Sequence, residues 1–171
     1  MPADGQPPTP PPAELSVSRA NSLRSVARIR RLFREYERSI GIDLDYQGFE
    51  DELRTLPGKY AAPGGVLLLG RVRGVVAGCA AVRPGPDRSA ELKRVFVRPR
   101  FRHGGVGRIP VDRAIAFATE ARYRAMVLDT LPEMEAAYRL YVRIGFREVD
   151  PYGPVSRPGT RYLRLDLAST G

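Results

Sequence analysis

Val95-Phe96-Val97-Arg98-Pro99-Arg100-Phe101-Arg102-His103-Gly104-Gly105-Val106-Gly107-Arg108 is the stretch that decides the fold. An apolar, β-branched run stops at Val97-x-Pro99, three glycines follow, and a helical pattern begins. The first turn of a helix carries free N–H groups and the positive end of the helix dipole. Glycine lets a ligand approach the backbone closely. A strand, a glycine loop and a helix in that order make a holder for phosphate or pyrophosphate. Two common versions fail on spacing. A Walker loop needs Gly-Lys-Ser/Thr, and this chain has Gly107-Arg108-Ile109. A dinucleotide fingerprint needs G-x-G-x-x-G, and here Gly105-x-Gly107 is followed by Pro110. Pro110 falls within or just past the first helical turn, where a missing N–H costs little.

Upstream of the loop, Glu91–Val97 reads as a strand. Val66–Val72 and Val75–Val82 flank Arg73-Gly74 as a hairpin. Before them, Glu14–Arg19 alternates as a short strand, and Asn21 or Ser22 caps the helix that follows. In that helix Val26, Ile29, Phe33, Tyr36 and Ile40 recur at three- and four-residue steps. Gly41 closes it, and a second helix is predicted over Gln47–Leu56. Downstream come a helix over Val106–Ala121, a buried strand at Ala125–Leu128, a helix over Glu133–Ile144, and strands at Phe146–Val149 and Tyr162–Leu167. The order βααβββαβαββ implies a single-domain mixed α/β fold, with strands and helices alternating around one sheet.

The 171 residues suit one domain over 14–171, with enough apolar content for a core. Residues 1–13 contain six prolines and are expected to be a disordered tail. The net charge is +9, and residues 71–110 carry ten basic and two acidic groups, so nearly all the excess sits there. A local basic segment suggests an anionic site. One His (His103) and one Cys (Cys79) exclude a Cys/His metal cage and an internal disulfide, so no metal is expected. Cys79 reads as a small core residue rather than a nucleophile. No apolar run is long enough to span a membrane, and no secretory signal is present, which makes the cytoplasm the default location.

The run Val97-x-Pro99, Arg102-x-x-Gly105-x-Gly107 and the amphipathic helix after it resemble the GCN5-related N-acetyltransferase (GNAT) family. Leu140-Tyr141-Val142-Arg143-Ile144-Gly145-Phe146 is similar to a second element of that family, L-Y-x-x-x-G-F. The resemblance covers roughly residues 14–167 and implies the acyl-CoA N-acyltransferase fold, a mixed, mostly antiparallel sheet flanked by helices. It implies acetyl-CoA as co-substrate, with Val95, Phe96, Val97, Arg102, His103, Gly104, Gly105, Val106, Gly107 and Arg108 around the cofactor. Arg98, Arg100 and Arg108 would either screen its 3′-phosphate or stay solvated. Tyr141 is implied as the acid that protonates the departing thiolate, with Tyr138 one turn earlier as a second tyrosine at the cofactor. Tyr141 also reads as a core aromatic. Glu91 is implied as the general base, and its other reading is a charge paired with Lys93 or Arg94. By strand alternation Glu91, Lys93, Val95 and Val97 are expected on one face. Many members carry Asn where this chain has Met134, so one contact to the pantetheine arm is lost or replaced.

The acceptor is implied to be an amine, and two features bear on it in opposite directions. Asp43, Asp45, Glu50, Asp51 and Glu52 would favour a cationic amine or form a solvated face. Tyr152, Arg157 or Arg161, in the Pro/Gly-rich 151–161 loop, would suit a carboxylate. Two other classes stay open, a CoA-binding regulator without catalysis and a basic nucleic-acid module. The aromatic-studded sheet of RNA-binding domains is missing, which disfavours the latter. A homodimer also stays open.

Overall fold

The computed structural model describes residues 14–153 and 157–168. The expected tail over 1–13 lies outside the described residues. The elements follow the expected order: β1 (Leu15–Arg19), α1 (Leu23–Ile40), α2 (Phe49–Thr55), β2 (Val66–Val72), β3 (Val75–Pro84), β4 (Ser89–Val97), α3 (Arg108–Glu120), β5 (Ala125–Thr130), α4 (Glu135–Ile144), β6 (Arg147–Val149) and β7 (Arg161–Asp166). Their local causes are visible. Ser22 caps α1, and Ser25 returns a bond to the cap backbone. Gly41 ends α1 in the left-handed region. The helix expected from Gln47 is divided. A 3-10 turn occupies Asp45–Gln47, and Gly48, at φ +71°, separates it from α2.

The sheet runs β1-β2-β3-β4-β5-β7-β6. Every neighbouring pair is antiparallel except β4 and β5. One face packs on α3 and α4 through Ala80, Val82, Leu92, Val111, Ala114 and Met126. The other packs on α1 and α2 through Ile29, Phe33, Phe49, Leu69, Cys79 and Ala81.

Two departures from regularity set up the site. First, β4 carries a bulge. Cys79 faces Phe96 but Ala81 faces Lys93, so β4 holds one residue more than β3 across that interval. Arg94 sits at φ +57° there, a strained conformation for a non-glycine residue. Its guanidinium is held by Glu52 (2.6 Å), Gln47 (3.0 Å) and the face of Phe49 (4.9 Å). The bulge overturns the expectation that Glu91, Lys93, Val95 and Val97 share a face. An extra residue inverts the alternation, so Val95 packs with the α3–α4 core and Phe96 with the α1–α2 core. Second, β4 and β5 pair only from Ser89/Ala125 to Glu91/Val127. Beyond that point they part, although β4 runs on to Val97 and β5 to Thr130.

Most of the basic excess in 71–110 is neutralised within the fold. Arg73, Arg83, Lys93, Arg94, Arg98 and Arg108 pair with Glu14, Glu91, Asp129, Glu52, Glu35 and Asp112. Four of the ten basic groups remain without an ion pair among the described residues: Arg71, Arg88, Arg100 and Arg102. No described helix is long and apolar enough to cross a membrane.

Candidate active site

The glycine loop closes on β4 through one side chain. Arg102 Nε donates to the Val97 carbonyl at 2.8 Å, and the guanidinium lies over the Phe96 ring. Gly104 and Gly105 both take positive φ, 75° and 76°, which only glycine does without strain. A Cβ at Gly105 would meet nothing within 4 Å, so the backbone there borders open space. Val106 anchors the loop from beneath, buried against Val72, Ala77 and Val97. The Arg108 N–H donates to the Gly105 carbonyl at 3.1 Å, and α3 begins. His103 is exposed.

The direction of the Val97 peptide follows from the ladder. Arg98 N–H donates to the Ala77 carbonyl at 2.8 Å, which makes Gly78–Val97 a non-hydrogen-bonded pair. Val97's own N–H and carbonyl therefore point away from β3, toward the gap left by β5. The carbonyl accepts Arg102, and the N–H faces the gap.

Three spaces that share walls occupy this gap and its continuation. A cleft of about 430 Å³ lies between the parted strands, α1 and α4. Val95, Phe96, Val97, Arg102, Gly107 and Tyr141 line it, so Arg102 and Gly107 bracket the rest of the loop at its edge. A chamber of about 460 Å³ lies on the α2 side, lined by Tyr46, Gln47, Arg83, Glu91, Lys93, Arg94, Asp129, Tyr152 and Tyr162. A throat of about 30 Å³ lies between them, sharing wall residues with each. Tyr36, Val95, Met134 and Tyr141 line both cleft and throat, whereas Gln47, Lys93, Arg94 and Asp129 line both throat and chamber.

The tyrosines divide by environment. Tyr141 is buried, and burial pushes its hydroxyl above the ordinary phenol range, with Tyr36 and Asp129 adding to the shift. It therefore stays protonated as a donor. Its ring also packs on Phe146, so it is a core aromatic and a cleft residue at once. Burial lifts Tyr36 to about 12, and its hydroxyl donates to Met134 Sδ at 3.9 Å. Tyr138 is not brought to the cleft. Its hydroxyl donates to Glu148 at 2.8 Å, and Arg161 stacks 4.1 Å from its ring centre. Cys79 is fully buried, and desolvation raises its thiol well above the ordinary range.

The charged groups also differ from expectation. Glu91 pairs with Arg83, its direct cross-strand neighbour, rather than with Arg94. Its Oε2 accepts Arg83 Nε at 2.8 Å, and its Oε1 lies 3.9 Å from Lys93 Nζ. Glu50, Asp51 and Glu52 are engaged by Arg34, Arg54 and Arg94. Of the loop residues expected at the acceptor, Tyr152 lines the chamber. Arg157 and Arg161 instead pair with Glu133 and Glu135. Asp129 was not singled out from the sequence. A carboxylate following the apolar run Ala125–Leu128 was the available signal.

Comparison with known proteins agrees with this geometry. The acetyltransferase (GNAT) family model matches residues 26–146. An uncharacterized N-acetyltransferase of Schizosaccharomyces pombe is 35% identical over 92% of this chain and 98% of its own length. N-acetylaspartate synthetase of Danio rerio is 37% identical over 54% of this chain and 32% of its own length. A putative acetyltransferase from Salmonella typhimurium, solved with its cofactor acetyl-CoA, superposes with a TM-score of 0.63 at 21% identity, over 91% of this chain and 95% of that one. With its parted strands, glycine loop and nearly full-length kinship to an N-acetyltransferase, the chain belongs to the acetyltransferase (GNAT) family, whose members are acetyl-CoA-dependent acyltransferases.

Proposed function

We propose that the protein transfers the acetyl group of acetyl-CoA to a primary amine by direct attack in a ternary complex. One observation carries this reading: the cleft and the chamber each share walls with one small throat, through Tyr141 on the cleft side and Lys93 and Asp129 on the chamber side. Direct transfer needs two substrates held on either side of one reacting point. A covalent relay through Cys79 is disfavoured, because a desolvated thiol with a raised pKa supplies little thiolate.

In this reading the loop from Arg102 to Arg108 holds the pyrophosphate on its backbone N–H groups, with His103, Gly104, Gly105, Val106 and Gly107 contributing main chain. The Val97 N–H, turned toward the gap, polarises the thioester carbonyl. An amine is protonated at neutral pH and must lose a proton to attack. Glu91 accepts that proton through water, its Oε1 being free of any hydrogen bond to a described residue. Asp129 holds the ammonium at the throat. Tyr141 donates to the thiolate as it leaves. Met134 stands where many members have Asn, so a thioether replaces an amide at the cleft wall. The kinship with N-acetylaspartate synthetase brings amino acids among the amines to be tried.

Calorimetry with acetyl-CoA, paired with a free-thiol release assay against an amine panel, tests the reading. Binding with thiol release dependent on an amine supports it. Failure to bind acetyl-CoA would overturn it, and binding without release from any amine favours a CoA-binding regulator.

A further inference from the structure

The wall of the acceptor chamber carries a row of alternating charge. Arg83 Nε bonds Glu91 Oε2 at 2.8 Å, Glu91 Oε1 lies 3.9 Å from Lys93 Nζ, and Lys93 Nζ bonds Asp129 Oδ1 at 3.0 Å. The strands fix its direction. Arg83 and Glu91 are direct partners across β3 and β4. Lys93 lies two residues further along β4, and Asp129 lies two residues beyond Val127, the β5 partner of Glu91. Two residues advance a strand by about 6.6 Å. The row therefore starts at Arg83, away from the throat, and ends at Asp129, which lines the throat itself. Arg94, the remaining cation of the wall, is offset from behind by Glu52. The row is neutral in sum but polar in sense, with a cation at the far end and a carboxylate beside the cleft.

The two ends are the under-used groups. Arg83 donates through Nε only. Its two Nη nitrogens make no hydrogen bond to another described residue, and its side chain is 26% exposed. Asp129 Oδ2 likewise makes none. Across the chamber, the Tyr152 hydroxyl is buried and has no partner among the described residues, which is costly unless a ligand supplies one. A polyamine would bring a second cation toward Arg83. A simple alkylamine would leave the guanidinium fork unfilled. A carboxylate matches that fork.

We propose that the acceptor is an amino acid, held with its ammonium at Asp129 and its carboxylate at Arg83. The proposal rests on the acetyltransfer reading above and narrows its substrate. Glu91 has a second duty here, orienting the Arg83 fork.

The test measures acetylation, on the full chain saturated with acetyl-CoA, of L-aspartate and 4-aminobutyrate. They are compared with their carboxylate-free counterparts, L-aspartic acid diamide and n-butylamine, and with spermidine. Each carboxylate is expected to raise kcat/KM by about 30-fold over its counterpart, the scale of a hydrogen bond to a charged group. Arg83→Gln should raise KM for the amino acid about 10-fold or more and collapse that discrimination, while Arg83→Lys restores part of it. Thermal melts of both variants identify any loss of fold. Calorimetry of the same amines on the CoA-saturated protein gives a readout independent of turnover. The proposal is overturned if spermidine or the carboxylate-free amines match the amino acids. It is equally overturned if neither amino acid binds or reacts, or if folded Arg83→Gln keeps the discrimination. Failure of acetyl-CoA itself to bind would instead remove the underlying reading.

Discussion

Arg98 grips Glu35 with two hydrogen bonds of 2.8 Å, one from Nε and one from Nη2, and so ties the end of β4 to the middle of α1. That clamp sets the wall of the cleft, because Phe96 and Val97 precede Arg98 and Tyr36 follows Glu35. The Arg98 guanidinium holds the Glu35 carboxyl below its ordinary value of 4.5. A carboxylate with a lowered folded pKa stabilises the protein above its unfolded pKa, and the contribution is lost as pH falls through the folded value. Glu35→Gln should therefore melt about 3 °C below the parent at pH 7, reflecting about 1 kcal/mol for a partly exposed bidentate pair. The gap should close below about pH 4. Melting curves across pH 3–7 check this, and a gap that persists at pH 3 contradicts the assignment.

Gly78 fixes how closely β3 approaches β4 opposite Val97. A Cβ there would lie 2.3 Å from the Phe96 carbonyl oxygen and 3.1 Å from Val97 Cα, both of them backbone atoms. Backbone cannot swing aside as a side-chain tip can. Gly78→Ala should cost about 3 kcal/mol in a denaturant titration. It should also weaken acetyl-CoA binding, since relieving the clash displaces the strand that carries the Val97 N–H.

Much of this was legible from local pattern and some was not. Element order followed from periodicity, and the loop from glycines placed after Val97-x-Pro99. The bulge was not legible, because Arg94 takes its strained φ only with Glu52, Gln47 and Phe49 in place, and all three are over forty residues away. A strict two-residue alternation therefore failed beyond Lys93. The ion pairing of 71–110 was not legible for a related reason. Read along the chain the stretch looked like an unbalanced basic segment, but Arg98 and Arg94 meet Glu35 and Glu52 across the fold. Three carboxylates of the acidic cluster near α2, Glu50, Asp51 and Glu52, are likewise met by Arg34, Arg54 and Arg94. Asp129 escaped because its importance lies in its neighbours, Lys93 and the throat, rather than in any motif.

Glu91 and Asp129 should separate kinetically. Glu91 is assigned the proton and Asp129 the ammonium. Glu91→Gln should lower kcat by about 100-fold. KM for the amine should change little, because the Gln side-chain oxygen can still accept from Arg83 Nε and keep that fork oriented. Asp129→Asn should instead raise KM for the amine about 10-fold, because a charge-assisted contact becomes a neutral one. Initial-rate measurements over amine concentration and pH decide between the roles. Equal effects of both variants on kcat alone would argue against the division.

Tyr141 is the donor best placed by its environment, being buried, pushed toward the protonated form and shared by cleft and throat. Removing one oxygen from it leaves the ring packed on Phe146, so Tyr141→Phe should fold normally. Acetyl-CoA should bind the variant within about twofold of the parent, since the ring keeps its cleft contacts. The thiolate would then leave without its proton donor, and kcat should fall by about 10- to 100-fold where chemistry limits turnover. The raised pKa adds a second expectation. A hydroxyl held above its ordinary value does not ionise near neutral pH, so Tyr141 should contribute no alkaline limb to the parent's pH–rate profile below about pH 10. A variant with unchanged kcat in single-turnover experiments would take the acid role from Tyr141. Among the described residues, the other tyrosine shared by cleft and throat is Tyr36, whose hydroxyl is engaged with Met134.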